Sequence, residues 1–518
     1  MFQPFDQPTF MTCLKSKLIG SLRIPSLAFA VACLQGCSTT TAAPIGLQAQ
    51  KPNVVVFLVD DLGWQDLSLA LHSSVTPFNK RYRTPHVERL AARGMTFTQA
   101  YASAPVCTPT RTSLLTGSSP ARNHITYWIL RENQDTSAPW PGLLPPDWNV
   151  NGLQPGSVTL PELLKESGYR TLHVGKAHLG AVMTAGADPR ALGFDVNIAG
   201  HGAGAPASYL GTESFARDSV WDVPGLEAWH DKDVFLTEAL AAEACEAIRQ
   251  CVEDDVPFFL HMAPYAVHTP ITTNERYLGH YADLPAREAA YASMIETVDA
   301  ALGALLEQLD ELGVTENTLV VFTSDNGGLS AHGRDGDPHT HNAPLRSGKG
   351  SAYEGGIRVP AVIAWPGHIA PGSRSDVPII THDIFPTVLA ATGTKVPESH
   401  IPNMDGRDLT LLLEGGQAPT PTELLWHQPH YWGVSGPGIE PFSALRSGDW
   451  KLIHWHANGS MQLYNLAIDP GESQDLALEH PDVVNRLANR LGESLRDAGA
   501  QRSRNETTLE PIPWPGTS

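Results

Sequence analysis

The chain has few cysteines and few basic side chains for its length, and each shortage excludes a class of protein. Six cysteines among 518 residues cannot form the dense disulfide framework of a small secreted domain, so the fold must rest on a large hydrophobic core. Lys and Arg number 35 against 55 Asp and Glu, which gives a formal net charge of −20. A protein this acidic does not bind nucleic acid or anionic membranes through its overall charge.

The amino-terminal segment predicts export. Basic residues precede a short apolar run at residues 27–32, and Leu34-Gln35-Gly36-Cys37 follows it. This order is typical of a secretory signal, and the run is too short for a permanent membrane-spanning helix. The last four residues resemble a bacterial lipobox. We therefore expect a lipoprotein signal at 1–36, lipidation of Cys37, a polar tether at 37–50 and a location in a bacterial cell envelope, in the periplasm or at the cell surface. Ordinary signal cleavage remains an alternative.

Apolar runs alternate with helical patterns along the next part of the chain. Runs of the kind found in strands buried on both faces occur at residues 53–59, 171–174, 258–262, 319–323 and 361–365. Helical patterns at 160–167 and 291–312 lie between them, and no fixed-period repeat interrupts the alternation. The pattern predicts an α/β fold, with a large mixed, mostly parallel sheet sandwiched by helices over residues 51–420.

The carboxy-terminal part follows a different pattern. Residues 442–455 and 462–466 are predicted as strands with an Asn-Gly turn at 458–459, and a helix is predicted at 482–495. We therefore expect a smaller antiparallel sheet plus helix as a subdomain over residues 421–518.

Polar clusters follow four of the predicted strands. They are Asp60-Asp61, Lys176 with His178, His268, and Asp325-Asn326. Ligands of open α/β sheets bind beyond the carboxyl ends of the strands, so these clusters should converge. Carboxylate and amide oxygens suit a hard cation such as Ca²⁺. The sequence thus predicts a metal site at this edge of the sheet.

Two cysteines outside the predicted signal and site, Cys245 and Cys251, lie in a predicted helix. Six residues of helical rise separate them by about 9 Å, beyond disulfide reach unless the helix ends before Cys251. Whether they pair stays open at this point.

Residues 107–111 read Cys-Thr-Pro-Thr-Arg and are followed by Leu115-Thr116-Gly117. This stretch resembles the signature of formylglycine-dependent sulfatases in the alkaline phosphatase superfamily, in which a maturation enzyme oxidises the cysteine to Cα-formylglycine. Further segments resemble the family in the same order along the chain. They are residues 51–63, 168–180, 323–328, 348–350 and 354–360.

The resemblance implies a role for each matched residue. Cys107 would be the modified nucleophile, and Asp60, Asp61, Asp325 and Asn326 would bind one Ca²⁺ with it. Arg111 would stabilise the hydrated aldehyde, and Lys176 and Lys349 would hold sulfate oxygens. His178 would accept a gem-diol proton, and His268 would serve as general acid at the leaving group. A neighbouring histidine, His173, is expected to pack in the core.

Substrate recognition is predicted less sharply. Segments at 148–153 and 193–206 resemble bacterial polysaccharide sulfatases, which implies a sulfated carbohydrate as the partner. The expected substrate-binding residues are His201, His332, His341, Arg346 and His430. Aromatic side chains at 426–432 could stack on a sugar or fill the core. The alternatives are a phosphodiesterase or phosphonate monoester hydrolase of the same superfamily, and a binder of sulfated glycans without activity.

Overall fold

The first strand of the chain is buried on both faces. Val55, Phe57 and Val59 face one hydrophobic cluster, and the alternate residues, beginning with Val54, face a second one. Side chains of a strand alternate between its faces, so an uninterrupted apolar run requires cover on both sides. The computed structural model describes residues 51–73, 75–329, 342–420 and 423–516; Cys37, the signal and the tether lie outside them.

Fifteen strands occur in this part of the chain. They are β1 (Asn53–Val59), β2 (Met95–Tyr101), β3 (Leu143–Leu144), β4 (Arg170–Gly175), β5 (Val196–Ile198), β6 (Phe258–Ala263), β7 (Thr318–Ser324), β8 (Arg358–Ala364), β9 (Ser373–Ser375), β10 (Ile379–Ile380), β11 (Leu424–Gln428), β12 (Phe442–Ser447), β13 (Trp450–Trp455), β14 (Met461–Asn465) and β15 (Arg504–Asn505).

Eleven α-helices accompany these strands within the described ranges. They are α1 (Pro85–Arg93), α2 (Cys107–Thr116), α3 (Pro120–Asn123), α4 (Leu160–Glu166), α5 (Leu236–Glu253), α6 (Glu275–Leu278), α7 (Ala286–Glu311), α8 (Glu354–Ile357), α9 (Ile384–Thr392), α10 (Thr410–Leu413) and α11 (Pro481–Asp497).

The large sheet has nine strands in the order β10-β2-β8-β7-β1-β6-β4-β5, with β9 beside β2. Only the pairs of β8 with β2 and with β7 are antiparallel. The mixed, mostly parallel sheet predicted from the sequence is therefore confirmed. Its four central strands β4, β6, β1 and β7 run parallel to one another, so their carboxyl ends lie along one edge.

Helices cover both faces of this sheet. Helices α1, α5 and α7 contribute to the cluster on one face, and α2, α4 and α9 to the cluster on the other. Helix α7 is the one described helix that is long and apolar enough to cross a membrane, but 83% of its most apolar window is buried. Its hydrophobicity is thus that of a core helix.

Cys245 and Cys251 both lie within helix α5, which continues to Glu253. Both are free thiols. Because the helix does not end between them, the condition for a disulfide is not met.

The second sheet is antiparallel, with the order β11-β12-β13-β14, and helix α11 packs against it. The predicted carboxy-terminal sheet and helix are thus present, and one difference concerns residues 442–455. They form a hairpin of β12 and β13, turning at Gly448 with φ of +61°. Glycine adopts this left-handed conformation readily. The described chain from residue 51 onward lies within one compact unit, and the division at residue 420 stays a prediction.

A buried ion network joins the second sheet to the large one. The Lys451 ammonium lies 3.0 Å from Glu354 Oε1 and 2.9 Å from Glu472 Oε1, and all three side chains are fully buried. Glu354 begins α8, and the backbone N–H of Gly327 donates to the Gly356 carbonyl in the same helix at 3.0 Å. Gly327 follows the predicted metal ligand Asn326, so the network reaches the edge of the sheet where the polar clusters lie.

Candidate active site

The four polar clusters predicted from the sequence meet at the carboxyl edge of the large sheet. Strands β1 and β7 end in register, with Val59 beside Ser324, immediately before Asp60 and Asp325. Strands β4 and β6 end as neighbours, and the Lys176 N–H donates to the Ala263 carbonyl at 2.7 Å. Adjacent parallel strands therefore deliver residues from distant parts of the sequence to one site.

Cys107 is the first residue of helix α2, at the floor of the site. All ten residues of this helix are buried. Its Sγ lies within 4.8 Å of carboxylate oxygens of Asp60 and Asp325, and also within 4.8 Å of ligand atoms of Asp61 and His268. Burial raises the pKa of the Cys107 thiol to about 11, although Lys176 and Lys349 oppose that shift. The unmodified side chain is therefore a protonated thiol at neutral pH, which is a weak nucleophile.

Three carboxylates and one amide surround this thiol. Asn326 Nδ2 donates to Asp61 Oδ1 at 2.8 Å, and the Asp61 N–H donates to Asp325 Oδ1 at 3.2 Å. Burial, with Asp325 and Asp61 nearby, holds the pKa of Asp60 above its usual range despite Lys176. For Asp61, the effect of burial is outweighed by Lys349 and His268, and its pKa is lowered.

Two oxygens of this set have no hydrogen-bond partner within the described residues. They are Asp61 Oδ2 and Asn326 Oδ1, both buried. Buried oxygens without partners are costly, and a cation that they coordinate would remove that cost. Because all four side chains offer oxygen, the donor set fits a hard divalent cation such as Ca²⁺.

Arg111 and Lys176 lie beneath the carboxylates. Arg111 Nε donates to Asp325 Oδ2 at 2.8 Å, and its Nη1 donates to the Lys176 carbonyl at 3.0 Å. The Lys176 ammonium donates to both oxygens of Asp60, at 2.8 and 2.7 Å. Both basic side chains are fully buried. They hold the carboxylates in place and balance part of their charge.

His178 presents a lone pair at the site. Its Nε2 lies 2.7 Å from the Ile129 carbonyl, and a carbonyl only accepts, so Nε2 carries the proton. Nδ1 is buried and has no hydrogen-bond partner among the described residues. Burial, aided by Lys176, lowers the pKa of His178 well below its usual value. A neutral imidazole with an available Nδ1 is suited to accept a proton.

His268 lies in the connection after β6, with a ring nitrogen within 4.8 Å of the Cys107 sulfur. Its Nδ1 donates to the Thr269 carbonyl at 2.8 Å, and its Nε2 lies 3.7 Å from Asp61 Oδ2. The Tyr209 hydroxyl lies 2.8 Å from the His268 carbonyl, which fixes the backbone. His268 is therefore held with Nε2 directed toward the carboxylate of Asp61.

A cavity of about 530 Å³ opens above these groups. Cys107, His178, His268 and Lys349 form its catalytic end. The remaining wall is mainly aromatic and apolar. It comprises Val106, Trp128, Gly204, Ala205, Pro206, Ala207, Arg217, Ser219, Trp221, Thr269, Pro270 and Trp432.

Three of the five predicted substrate-binding residues, His201, Arg346 and His430, belong to the described residues and lie away from the cavity lining. His430 is buried between Tyr127 and Trp148, with ring centroids 5.1 Å away in each case. Arg346 packs over the Tyr353 ring and donates to the Glu472 carbonyl. His201 is partly buried, and its carbonyl accepts from the His178 N–H. None of the three lines the cavity, and His332 and His341 lie outside the described residues.

Other aromatic residues proposed for sugar stacking divide between core and cavity. Trp426 is fully buried and His427 nearly so, whereas Trp432 lines the cavity. His173 is buried against Phe194 and His261, as predicted. Trp128, Arg217 and Trp221 line the cavity but are not among the residues predicted from the sequence. The last two lie between β5 and α5, in a segment whose irregular backbone gives no periodic signal.

Gly204 allows this segment to approach His178 closely. A Cβ at residue 204 would lie 2.3 Å from Cε1 and 2.4 Å from Nδ1 of His178. We expect Gly204→Ala to displace the imidazole and to lower kcat about 10- to 100-fold, with a smaller change in KM. Sulfate-release kinetics would measure this effect. Gly279→Ala is the matched control, because a Cβ there would meet nothing within 4 Å. An unchanged kcat in Gly204→Ala would contradict this expectation and show that turnover does not depend on the close packing of residue 204 against His178.

The fold and this site agree with comparisons to known proteins. The sulfatase family model matches residues 52–394, and the model described as N-sulphoglucosamine sulphohydrolase, C-terminal, matches residues 348–499. A sulfatase from Formosa agariphila is 29% identical, over 90% of this chain and 92% of its own length. The N-acetylgalactosamine-6-sulfatase of the dog, Canis lupus familiaris, is 31% identical, over 82% of this chain and 76% of its own.

A solved structure extends the comparison. Ps i-CgsB in complex with k-i-k-neocarrahexaose superimposes with a TM-score of 0.69 and 26% identity, covering 90% of this chain and 95% of that one. The α/β sheet with its buried cysteine and oxygen ligands is thus the framework of a hydrolase of sulfuric esters. The chain belongs to the sulfatase family, and it is an enzyme that hydrolyses sulfate esters.

Proposed function

We propose that this sulfatase removes sulfate from a sulfated carbohydrate, with formylglycine formed from Cys107 and one bound Ca²⁺. The observation that carries the proposal is the position of Cys107. Its sulfur lies within 4.8 Å of two oxygen-ligand groups at the catalytic end of the cavity. A protonated thiol there would be a poor catalyst, so its burial supports conversion to another nucleophile.

The modified side chain and the metal supply chemistry that the other residues direct. A hydrated aldehyde at residue 107 would supply one oxygen to attack sulfur and a second whose deprotonation would expel sulfate, and Ca²⁺, which Asp60, Asp61, Asp325 and Asn326 would hold, would stabilise negative charge on the sulfate. Lys349, at the cavity wall, binds a sulfate oxygen with its ammonium. Lys176 and Arg111, which do not line the cavity, hold Asp60 and Asp325 in position.

The two histidines move protons at different atoms. His178 accepts a proton at Nδ1, the ring nitrogen without a hydrogen-bond partner in the described structure. His268 donates a proton from Nε2 to the leaving oxygen in its imidazolium form, since the proton on Nδ1 is engaged by the Thr269 carbonyl and Nε2 is the remaining ring nitrogen. This division of roles follows from which nitrogen each ring directs at the site.

Carbohydrate is the substrate class that the cavity and the relatives favour. Three tryptophans form much of the wall, and aromatic rings are suited to contact the apolar face of a sugar. The relatives include a sulfatase named for N-acetylgalactosamine 6-sulfate and a structure solved with a neocarrahexaose. The protein would also require a maturation enzyme that modifies Cys107 as its partner. Nucleic acid has no role in the proposed function.

We further propose that the enzyme is exported and attached to a bacterial cell envelope by a lipid on Cys37. The support is the sequence of residues 1–37, with basic residues, a short apolar run and a lipobox-like ending. Labelled fatty acid incorporation into wild-type protein and its absence in Cys37→Ser would test this attachment. Labelling that persists in the variant would contradict it.

The substrate is tested by sulfate release. Protein co-expressed with a maturation enzyme and supplied with Ca²⁺ is offered sulfated monosaccharides, oligosaccharides and intact algal or animal polymers. We expect release from one saccharide class. If the aldehyde at residue 107 is confirmed by mass and no saccharide is desulfated, the carbohydrate assignment is wrong. Phosphate diesters and phosphonates, the substrates of the alternative enzymes in this superfamily, are assayed in parallel.

A further inference from the structure

Trp432 touches both the catalytic end and the wall of the cavity. The Lys349 ammonium lies over the Trp432 ring, 5.4 Å from its centroid, and both residues line the cavity. The same ammonium lies 2.5 Å from Asp61 Oδ1. Lys349 is therefore held between a carboxylate of the metal-ligand set and an aromatic face, and a cation in that position is attracted by the ring.

The backbone beside Lys349 is shaped to receive this ring. Gly350 has a φ of +85°, and a Cβ at this residue would lie 2.5 Å from Cε3 of Trp432. A side chain there would push the ring away, so glycine permits the direct contact. The Gly350 N–H donates to the Pro105 carbonyl at 2.8 Å, which ties the same loop to the segment that leads into Cys107.

Trp432 is also fixed from its own side. The Ala138 N–H donates to the Tyr431 carbonyl at 2.9 Å, and Tyr431 packs edge-on against Trp140 with centroids 4.8 Å apart. The Trp432 side chain packs against the hydrophobic cluster that contains Val106, the residue before Cys107. A ring anchored in this way can position its neighbours, because it loses little freedom when a ligand binds.

We propose that Trp432 binds the sugar ring that carries the scissile sulfate and, through the same side chain, positions Lys349 on that sulfate. Recognition of the sugar and of the sulfate is thereby coupled at one residue. The ligand is a pyranose, whose C–H face stacks on the indole while its sulfate reaches Lys349. This inference rests on the proposed carbohydrate specificity and adds the residue that connects it to the catalytic end.

Trp221 provides the matched comparison. It lines the same cavity from the segment after β5, where the Ala207 N–H donates to its carbonyl at 2.7 Å. Among the described contacts, its ring does not reach Lys349. Replacing a tryptophan that only contacts sugar, as expected for Trp221, should thus weaken sugar binding alone. Replacing a tryptophan that also positions the lysine should weaken sulfate binding as well.

The test measures binding of the two halves of the substrate to the mature, Ca²⁺-loaded enzyme. The sugar probes are desulfated neocarrahexaose and N-acetylgalactosamine, and the sulfate probe is inorganic sulfate, all measured by calorimetry. We expect Trp432→Leu to weaken both kinds of probe about tenfold or more. Trp221→Leu should weaken the sugar probes alone. Trp432→Phe, which keeps an aromatic face, should restore sulfate binding to within about threefold of wild type.

Each outcome decides one part of the inference. Trp432→Leu that weakens the sugar probes but not sulfate would overturn the coupling to Lys349, and unchanged binding of both would overturn the inference entirely. Equal losses of sulfate affinity in Trp221→Leu and Trp432→Leu would show that either substitution loosens the cavity as a whole. That result would overturn the specific coupling of Trp432 to Lys349. If wild type binds sulfate but neither sugar, the carbohydrate assignment itself fails, and the sulfate measurements still decide whether Trp432 positions Lys349. Thermal unfolding of each variant confirms that the fold is retained.

Discussion

Replacing Cys107 by alanine is expected to abolish sulfate release, with a loss of at least about a thousandfold, because an alanine methyl lacks the thiol that the proposed conversion to formylglycine requires. The fold should persist. Alanine suits the first turn of helix α2, and the loss of one buried sulfur leaves only a small void. Sulfate release and thermal unfolding measured on the same preparation separate these two effects.

Cys245→Ala is the matched control, since Cys245 is a free cysteine in helix α5 away from the site. It should retain wild-type turnover. A second comparison uses wild-type protein made without a maturation enzyme and shown by mass to carry an intact cysteine. Normal turnover by that protein, or by Cys107→Ala, would remove formylglycine from the mechanism.

Asp325→Asn should be nearly as damaging, by about a thousandfold in kcat/KM, although it changes a single group of similar size. The carboxylate accepts a hydrogen bond from Arg111 Nε at 2.8 Å, Arg111 Nη2 lies 2.8 Å from the same oxygen, and the carboxylate lies within 4.8 Å of the Cys107 sulfur. The amide would remove one negative ligand from the proposed Ca²⁺ site. It would also leave the buried Arg111 guanidinium without its closest partner.

Two measurements distinguish these consequences. Elemental analysis of dialysed protein should show less than one Ca²⁺ per chain in Asp325→Asn, and thermal unfolding should report the cost of the unbalanced arginine. Asp376→Asn makes the same chemical change at an exposed carboxylate and should alter neither quantity. Full metal content and full activity in Asp325→Asn would exclude Asp325 from the metal site.

The structure brings together the residues predicted for the catalytic end of the site, for a reason that lies in sheet geometry. Their catalytic roles stay predictions. Asp60, Lys176 and Asp325 each follow an apolar run directly, and neighbouring parallel strands end at a common edge. Local order along the chain therefore specified a position in space. Roles such as that of Lys176 could not be assigned from order alone, because its contact with Asp60, rather than with the cavity, depends on side-chain packing.

The wall of the cavity could not be predicted in the same way. The sequence favours sugar stacking for His430 and hydrogen bonding to substrate for Arg346, yet His430 packs against Tyr127 and Arg346 packs over Tyr353. Conversely, Trp128 and Trp221 look like ordinary core residues in the sequence but line the cavity. Which face of an irregular segment is exposed depends on long-range packing, and hydrophobic periodicity contains no information about it.

The Lys451 network connects the carboxy-terminal sheet to the candidate active site, although the two are far apart in the sequence. Lys451 neutralises Glu354, and the turn that Glu354 begins is hydrogen-bonded to Gly327, the neighbour of Asn326 in the proposed Ca²⁺ site. Trp432 reaches the cavity from the same part of the chain. The two sheets are consequently joined by buried charges. Recombination that exchanged the carboxy-terminal region between related enzymes would have to preserve this buried lysine and its two glutamates, or the borrowed region would leave uncompensated charge next to the catalytic loop.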